Sequence, residues 1–218
     1  MSDIDSVTLF RNAKFRLSTP KLKGLPPDKG AEVAFVGRSN AGKSSALNRL
    51  TDQKALARTS KTPGRTQQIV VFDLDDDHRL IDLPGYGYAK VPISIRQKWQ
   101  RTMGRYLGER LCLKGLIMLM DIRHPAREGD LQMLQWCRQA RMPVHILLTK
   151  ADKLSRGHAM GQLQGLRHKL DSDQHEVSLQ LFSATTRLGV DEARDHMASW
   201  LELRTKKDPG TRGERPGS

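Results

Sequence analysis

The sequence predicts an α/β domain built on a mostly parallel sheet. Three observations carry that reading. Short apolar runs suited to strands alternate with longer segments of helical periodicity. The first of those runs opens into a glycine-rich turn. No apolar run approaches the roughly 18 residues that a membrane-spanning helix needs.

Residues 1–30 read as a polar arm that ends in the turn-rich stretch Leu25-Pro26-Pro27-Asp28-Lys29-Gly30. The run Val33-Ala34-Phe35-Val36 follows, nearly continuous, as a strand buried on both faces requires. A glycine-rich turn then leads to residues 43–50, which have helical periodicity. Further strand-like runs lie at 68–74, 79–83, 115–121, 144–149 and 179–183. Helix-like segments lie at 93–111, 129–141, 155–170 and 190–203. The end of the chain, from 206, is rich in Lys, Arg, Gly and Pro and has no apolar face, so disorder is expected there. The division is therefore an arm (1–30), one domain (31–204) and a basic tail (205–218).

The 218 residues include 37 Lys and Arg against 24 Asp and Glu, a formal net charge of +13. Such an excess attracts polyanions: nucleic acid, an acidic membrane surface or an acidic partner. The plain alternative is a solubility device scattered over the surface. The basic residues cluster near 14–29, along 96–114 and in 204–215. Cys112 and Cys137 are the only cysteines, with no CxxC pair and no Cys/His cluster. That argues against a disulfide scaffold and a structural zinc site, and makes reduced thiols in a cytosol the default. The start, Met1-Ser2-Asp3-Ile4-Asp5, is acidic and does not read as a secretory signal.

Gly37-Arg38-Ser39-Asn40-Ala41-Gly42-Lys43-Ser44 matches the phosphate-loop pattern GxxxxGK[ST], directly after an expected strand and opening an expected helix. Its glycines let the backbone curl so that N–H groups face a phosphate chain, at the positive end of a helix. Lys43 would reach the outer phosphates and the Ser44 hydroxyl would ligate Mg²⁺. Asp82-Leu83-Pro84-Gly85 follows a strand-like run, so Asp82 falls at the sheet edge where such folds bind ligands. Asp82 would hold Mg²⁺ through water, and the Gly85 amide would sense the terminal phosphate. By itself DxxG is an ordinary strand-end turn.

Thr149-Lys150-Ala151-Asp152 fits a base-reading pattern. Guanine offers N1–H and an exocyclic amine side by side, and one carboxylate, Asp152, can accept both. Adenine would leave that carboxylate unpaired, which is a discriminating mismatch. The stem of Lys150 can pack over the base. Asn is the usual residue at the first position; Thr149 keeps one hydroxyl for bonding within the loop. Read alone, the tetrapeptide is a strand-to-helix turn with an ionic cap. After the last strand-like run comes Phe182-Ser183-Ala184-Thr185, where a backbone N–H could contact the guanine carbonyl.

The ordered set GRSNAGKS, DLPG, TKAD and SAT resembles the translation-factor-like class of P-loop GTPases. More narrowly it is similar to the EngB (YihA-type) family of bacterial ribosome-biogenesis GTPases, through GRSNAGKSS at 37–45, TSKTPGRTQ at 59–67, DLPGYGYAK at 82–90 and DIRH at 121–124. The likeness runs from about residue 10 to residue 203. It implies a single Ras-like G domain whose six-stranded, mostly parallel sheet carries helices on both faces. It implies hydrolysis of GTP to GDP and phosphate with Mg²⁺, with Lys43, Thr66 and Gly85 at the reacting end. Thr66 would join Ser44 around Mg²⁺, flanked by Gly64, Arg65, Gln67 and Gln68; spacing alone leaves Thr59 and Thr62 open. The implied role is a switch in assembly of the large ribosomal subunit, touching rRNA and ribosomal proteins; beside it, the residues point to a cytoplasmic chain without stable membrane association, and nothing in them demands more than a monomer. Family members are also associated with division septum formation.

Two positions qualify this picture. Tyr86 stands where Ras-like enzymes have a water-orienting Gln. A phenol cannot orient water in that way, so a retracted side chain and slow intrinsic hydrolysis are expected. Asn40 matches a position that holds K⁺ in some relatives; a loop hydrogen bond is the other reading.

The segment 93–111 carries Arg96, Lys98, Arg101, Arg105 and Arg110, with Ile95, Trp99, Tyr106 and Leu107 along one stripe. It directly follows the DLPG loop, so it reads as a cationic surface coupled to the phosphate sensor, or more plainly as a solvated helix face. Two other functions compete. A GTPase switch for a protein or membrane partner in cell division lacks a basic amphipathic helix or a lipidation motif. A metabolic kinase is disfavoured by the guanine-reading pattern.

Overall fold

The computed structural model describes residues 6–57, 68–87, 93–170 and 177–203. Within them the elements run α1 (Ser6–Arg11), β1 (Lys14–Thr19), β2 (Ala31–Gly37), α2 (Lys43–Leu50), β3 (Ile69–Asp73), β4 (His78–Asp82), α3 (Ile93–Glu109) and β5 (Leu113–Asp121). They continue with α4 (Glu128–Gln139), β6 (Val144–Thr149), α5 (Arg156–Leu170), β7 (Val177–Leu181) and α6 (Val190–Trp200). The expected tail beyond 204 lies outside the described residues.

β2 is buried along its whole length, which explains its unbroken apolar run. Alternation still operates within it. Val33 and Phe35 point to a layer made with Leu47 and Leu50 of α2 and Val190 and Met197 of α6. Ala34 and Val36 point to the opposite layer, with Tyr106 of α3, Met133 of α4 and Leu163 of α5. β2 pairs in parallel with β4 on one side and β5 on the other, and β6 and β7 continue that parallel run.

The sheet has seven strands, in the order β1-β3-β4-β2-β5-β6-β7, where six were expected. The extra one is β1, from the segment read as an arm. It adds antiparallel to β3 at the sheet edge. Its residues are mostly exposed, so it lacks the apolar run by which the other strands are legible. Upstream of it, Leu9 and Phe10 of α1 are buried in the α2–α6 layer. The residues from 6 onward thus pack on the domain.

The turn-rich stretch before β2 is fixed by charge. Glu32 is fully buried between Arg79 of β4 (3.1 Å) and Arg110 (2.6 Å). Both arginines also donate to carbonyls of that stretch, Arg79 to Lys29 O and Arg110 to Pro26 O. Asp28 accepts the amides of Leu111 and Cys112, tying the loop to the start of β5. Cys112 and Cys137 are buried and free, and burial pushes both thiols up to about 12, so neither is a nucleophile near neutral pH.

On the α2–α6 side, His145 of β6 stacks on His196 of α6, with ring centroids 4.1 Å apart. Its ring nitrogens lie 2.7 Å from Ser178 Oγ and 2.7 Å from Gln180 Oε1. Burial, helped by the neighbouring His196, lowers the His145 pKa to about 4. The folded state therefore holds this ring neutral, while the unfolded chain protonates it near 6.5. Stability from this ring is fully present above about pH 6.5 and is lost as pH falls through about 4. The expected outcome in an NMR titration is that the His145 ring signals stay at their neutral positions until close to pH 4. A midpoint near 6.5 would contradict it.

Candidate nucleotide site

The glycine-rich turn joins the end of β2 to the start of α2. Asn40 and Gly42 both adopt positive φ, 64° and 89°. The second is the strained step that glycine makes without cost, and it turns the chain straight into the first turn of α2. Lys43 and Ser44 occupy that turn. The Lys43 ammonium pairs directly with the Asp82 carboxylate at the end of β4, and both side chains are largely buried. Phe35 of β2 is the register partner of Asp82, so strand pairing sets this meeting. Leu83 continues the pattern, its amide donating to Phe35 O at 3.0 Å.

The donor set fits Mg²⁺ held jointly with a polyphosphate. The Lys43 ammonium and the Asp82 carboxylate meet beside the helix N-terminus whose first turn holds Ser44. Among the described residues no group of three His, Cys, Asp or Glu could cage a metal without a ligand's oxygens. The other expected ligand, Thr66, lies outside the described residues, as do Gly64, Arg65 and Gln67. Gln68 is exposed just before β3. Val70 pairs with Asp82, which puts Gln68 at the same edge of the sheet.

The base-reading stretch is bonded to the phosphate loop itself. The Thr149 hydroxyl lies 2.6 Å from Ala41 O and 3.1 Å from Met120 O. The Lys150 ammonium donates to Asn40 O at 2.7 Å and pairs with Asp121 at 2.9 Å. Lys150 has φ of 59°, so the chain reverses here before a short 3-10 turn over Ala151–Lys153. Ala151 is pinned through its amide to Phe182 O. Asp152 accepts a hydrogen bond from the Ser183 hydroxyl at 2.7 Å, which holds its carboxyl below the usual range and keeps it an ionised acceptor.

The last loop is organised by the same contacts. Phe182 is fully buried, and its amide donates to Leu148 O. The Ser183 amide donates to Leu188 O. Those two N–H groups are spent within the fold. Arg49 of α2 donates to Ala184 O at 2.6 Å.

Sequence reasoning did not assign roles to Asp121, Arg49 or Asp130. Asp121 ends β5 and takes both Lys150 and Arg123. Burial alone would raise its pKa, but those cations hold it well below the ordinary range. Its signal was the DIRH stretch, which the resemblance singled out without a role. Asp130 receives the Tyr86 hydroxyl. Tyr86 is buried and its side chain is retracted into the α3–α4 layer. Of the basic segment, Arg101 and Arg105 are exposed, with Arg105 paired to Glu109. Trp99, Tyr106 and Leu107 pack toward the core.

Comparisons with known proteins bear on the family and the fold. Residues 32–150 match the family model described as a 50S ribosome-binding GTPase. The chain is 55% identical over 196 residues to a "Probable GTP-binding protein EngB" of Stenotrophomonas maltophilia, covering 89% of this chain and 98% of that one. It is 56% identical over 192 residues to a protein of the same name from Pseudoalteromonas atlantica, covering 88% and 93%. Among solved structures, one of "a probable GTP-binding protein engB" superposes with a TM-score of 0.64 at 21% identity, over 80% of this chain and all of that one. A structure of Era with MgGDPNP and a segment of 16S ribosomal RNA superposes with a TM-score of 0.60 at 21% identity, over 84% of this chain and 59% of that one. At these identities the two structures speak for the fold alone.

Proposed function

The chain belongs to the EngB family of GTP-binding proteins and to the wider family of 50S ribosome-binding GTPases, and from that membership we propose that it hydrolyses GTP to GDP and phosphate as a nucleotide switch in assembly of the large ribosomal subunit. The observation that carries the proposal is the bonding of two ends of one cleft. At the phosphate end stand the loop 37–42, Lys43 and Asp82; at the base end stands Asp152, oriented by Ser183. Thr149 and Lys150 fasten the second to the first.

In this reading the loop amides and Lys43 bind the phosphates, and Ser44 and Thr66 hold Mg²⁺. Asp82 would help hold the ion, and Gly85 would contact the terminal phosphate. When bound, Mg²⁺ neutralises charge on the outer phosphates. Lys43 must then leave Asp82, so each partner of the ion pair gains a new counter-charge as the nucleotide enters. Tyr86 supplies no group to orient a water, so intrinsic turnover is slow and an external activator has room to act. Asp152 accepts from both guanine donors, with the Lys150 stem against the base. Asn40 offers a side-chain oxygen for K⁺ beside the phosphates.

The exposed arginines of α3 and the basic tail supply phosphate contacts to rRNA, and these give affinity without sequence choice. Among the described residues no helix is long and apolar enough to cross a membrane. We place the protein in the cytoplasm as a monomer, with any requirement in septation a consequence of ribosome supply.

Asp152→Asn tests the base end. The amide donates where the carboxylate only accepted, so GTP binding is expected to weaken by roughly 100-fold and xanthosine nucleotides to be preferred. Unchanged GTP affinity would remove the assignment. Turnover is expected to be faster in K⁺ than in Na⁺ at equal ionic strength, and equal rates would remove the K⁺ reading. The partner is tested by co-sedimentation with ribosomal subunits at two salt concentrations. Large-subunit binding with a non-hydrolysable GTP analogue, absent with GDP and persisting at moderate salt, is the expected outcome. Binding that ignores nucleotide and vanishes with salt would reduce the +13 charge to non-specific attraction.

A further inference from the structure

Tyr86 is joined to three separate parts of the molecule. Its backbone forms a short parallel bridge to the phosphate loop. The Tyr86 amide donates to Gly37 O at 3.3 Å, and the Ser39 amide donates to Tyr86 O at 3.2 Å. Its ring is 6% exposed and lies 5.7 Å from the ring of Trp99 in α3, which lies 5.7 Å from Trp136 in α4. Its hydroxyl donates to Asp130 Oδ1 at 2.8 Å.

The far side of that contact is shaped for it. Asp130 is 1% exposed, and its other oxygen accepts the Arg127 amide at 2.9 Å, which closes the first turn of α4. A Cβ on the preceding Gly129 would sit 3.0 Å from Tyr86 Cδ2, so the ring uses the space that glycine leaves. Arg38 of the phosphate loop acts electrostatically on both Tyr86 and Asp130. Gly87 leaves room for that guanidinium: a Cβ there would lie 2.9 Å from Arg38 Nε. Burial, with the nearby carboxylate, raises the Tyr86 pKa well above its ordinary value, so the phenol stays a neutral donor.

We propose that Asp130 is a positioning residue for recognition of the terminal phosphate: by holding the Tyr86 hydroxyl it fixes the Gly85 amide beside the phosphate loop before nucleotide arrives. The inference rests on the reading of Gly85 as the terminal-phosphate contact. Gly85 has no side chain with which to hold itself, and its carbonyl side is covalently the start of Tyr86. Anchoring Tyr86 removes freedom that binding of a triphosphate would otherwise have to remove. A diphosphate does not use the Gly85 amide, so its affinity is insensitive to the anchor. The anchor thus separates GTP from GDP without touching either.

Tyr86→Phe keeps the ring and removes the donor, and Asp130→Asn keeps the shape and removes the charge. The full chain and both variants are titrated with GDP and with a non-hydrolysable GTP analogue, and single-turnover hydrolysis is followed in parallel. For each variant, GDP affinity is expected within about twofold of wild type, analogue affinity lower by roughly tenfold, and hydrolysis slowed. The double variant is expected to lose no more than the weaker single variant, as two halves of one contact should. Equal losses for both nucleotides would show a merely structural role and overturn the proposal. Wild-type analogue affinity and hydrolysis in Tyr86→Phe would overturn it too, and that variant decides alone if Asp130→Asn does not fold. A wild-type chain that binds neither nucleotide would instead strike the GTPase reading, and this inference with it.

Discussion

The parallel pairing of β2 with β4 and β5 is the constraint on which the rest depends. Parallel strands end on the same edge, so their following loops meet there. The register fixes which residues meet. Phe35 opposite Asp82 brings the carboxylate to the root of the phosphate loop, and Gly37 opposite Leu119 sets where β2 must turn. Asp121 opposite Thr149 then brings Lys150 within reach of the same loop. A slip of one residue would exchange the two faces of β2 as well as misplace these groups. The dry packing on both faces therefore protects the chemistry at the edge, and Glu32 with its two arginines secures the opposite end of the strand.

Around that edge, polar contacts make one rigid body of segments far apart in sequence. Thr149 grips Ala41, Lys150 grips Asn40, Arg49 grips Ala184, and Ser183 grips Asp152. The loops 37–42, 149–152 and 182–184 are not independent in such an arrangement. The Lys43–Asp82 pair has a second consequence. Two largely buried charges would each be costly alone, and here each satisfies the other. A ligand that separates them must offer both an anion and a cation. Metal-bound polyphosphate does so, whereas a free phosphate ester offers only half.

Much of this was legible in the sequence, for identifiable reasons. The phosphate loop, Asp82 and the TKAD stretch are local patterns whose residue types follow from ligand chemistry. β2 and β6 are legible because burial on both faces leaves an unbroken apolar run. β1 was not, because an edge strand facing solvent needs no such run, and Lys14-Phe15-Arg16 reads as a polar arm until β3 is seen beside it. The roles of Asp121, Asp130 and Arg49 were hidden for another reason. Their contacts to Lys150, Tyr86 and Ala184 span 29, 44 and 135 residues of chain, and no local spacing encodes those. The conversion of Thr149 from a variant of the usual Asn into a working part is equally tertiary: its hydroxyl has a purpose only once Ala41 lies 2.6 Å away.

The net charge needs the same tertiary view. Part of the excess is spent within the fold. Glu32 gathers Arg79 and Arg110, and Asp52 gathers Arg11, Arg187 and Arg194. Five arginines around two carboxylates account for three of the thirteen surplus charges; the three on Asp52 tie α1, the end of α2 and α6 together, with Arg194 buried and Arg11 and Arg187 part exposed. What is left for a polyanion lies on more than one surface, with Lys14, Lys21, Lys23 and Lys29 exposed around β1 and the turn before β2. It includes Arg101 of α3 and, on α5, the exposed Arg156, Arg167 and Lys169 in a helix without a single Asp or Glu. Both helices lie on the α3–α4–α5 face, the side into which Tyr86 is turned. A polyanion drawn to that face would meet the layer that is packed on the residue next to Gly85. The exposed cations of α3 and α5 therefore stand on the layer that packs Tyr86, one residue from Gly85.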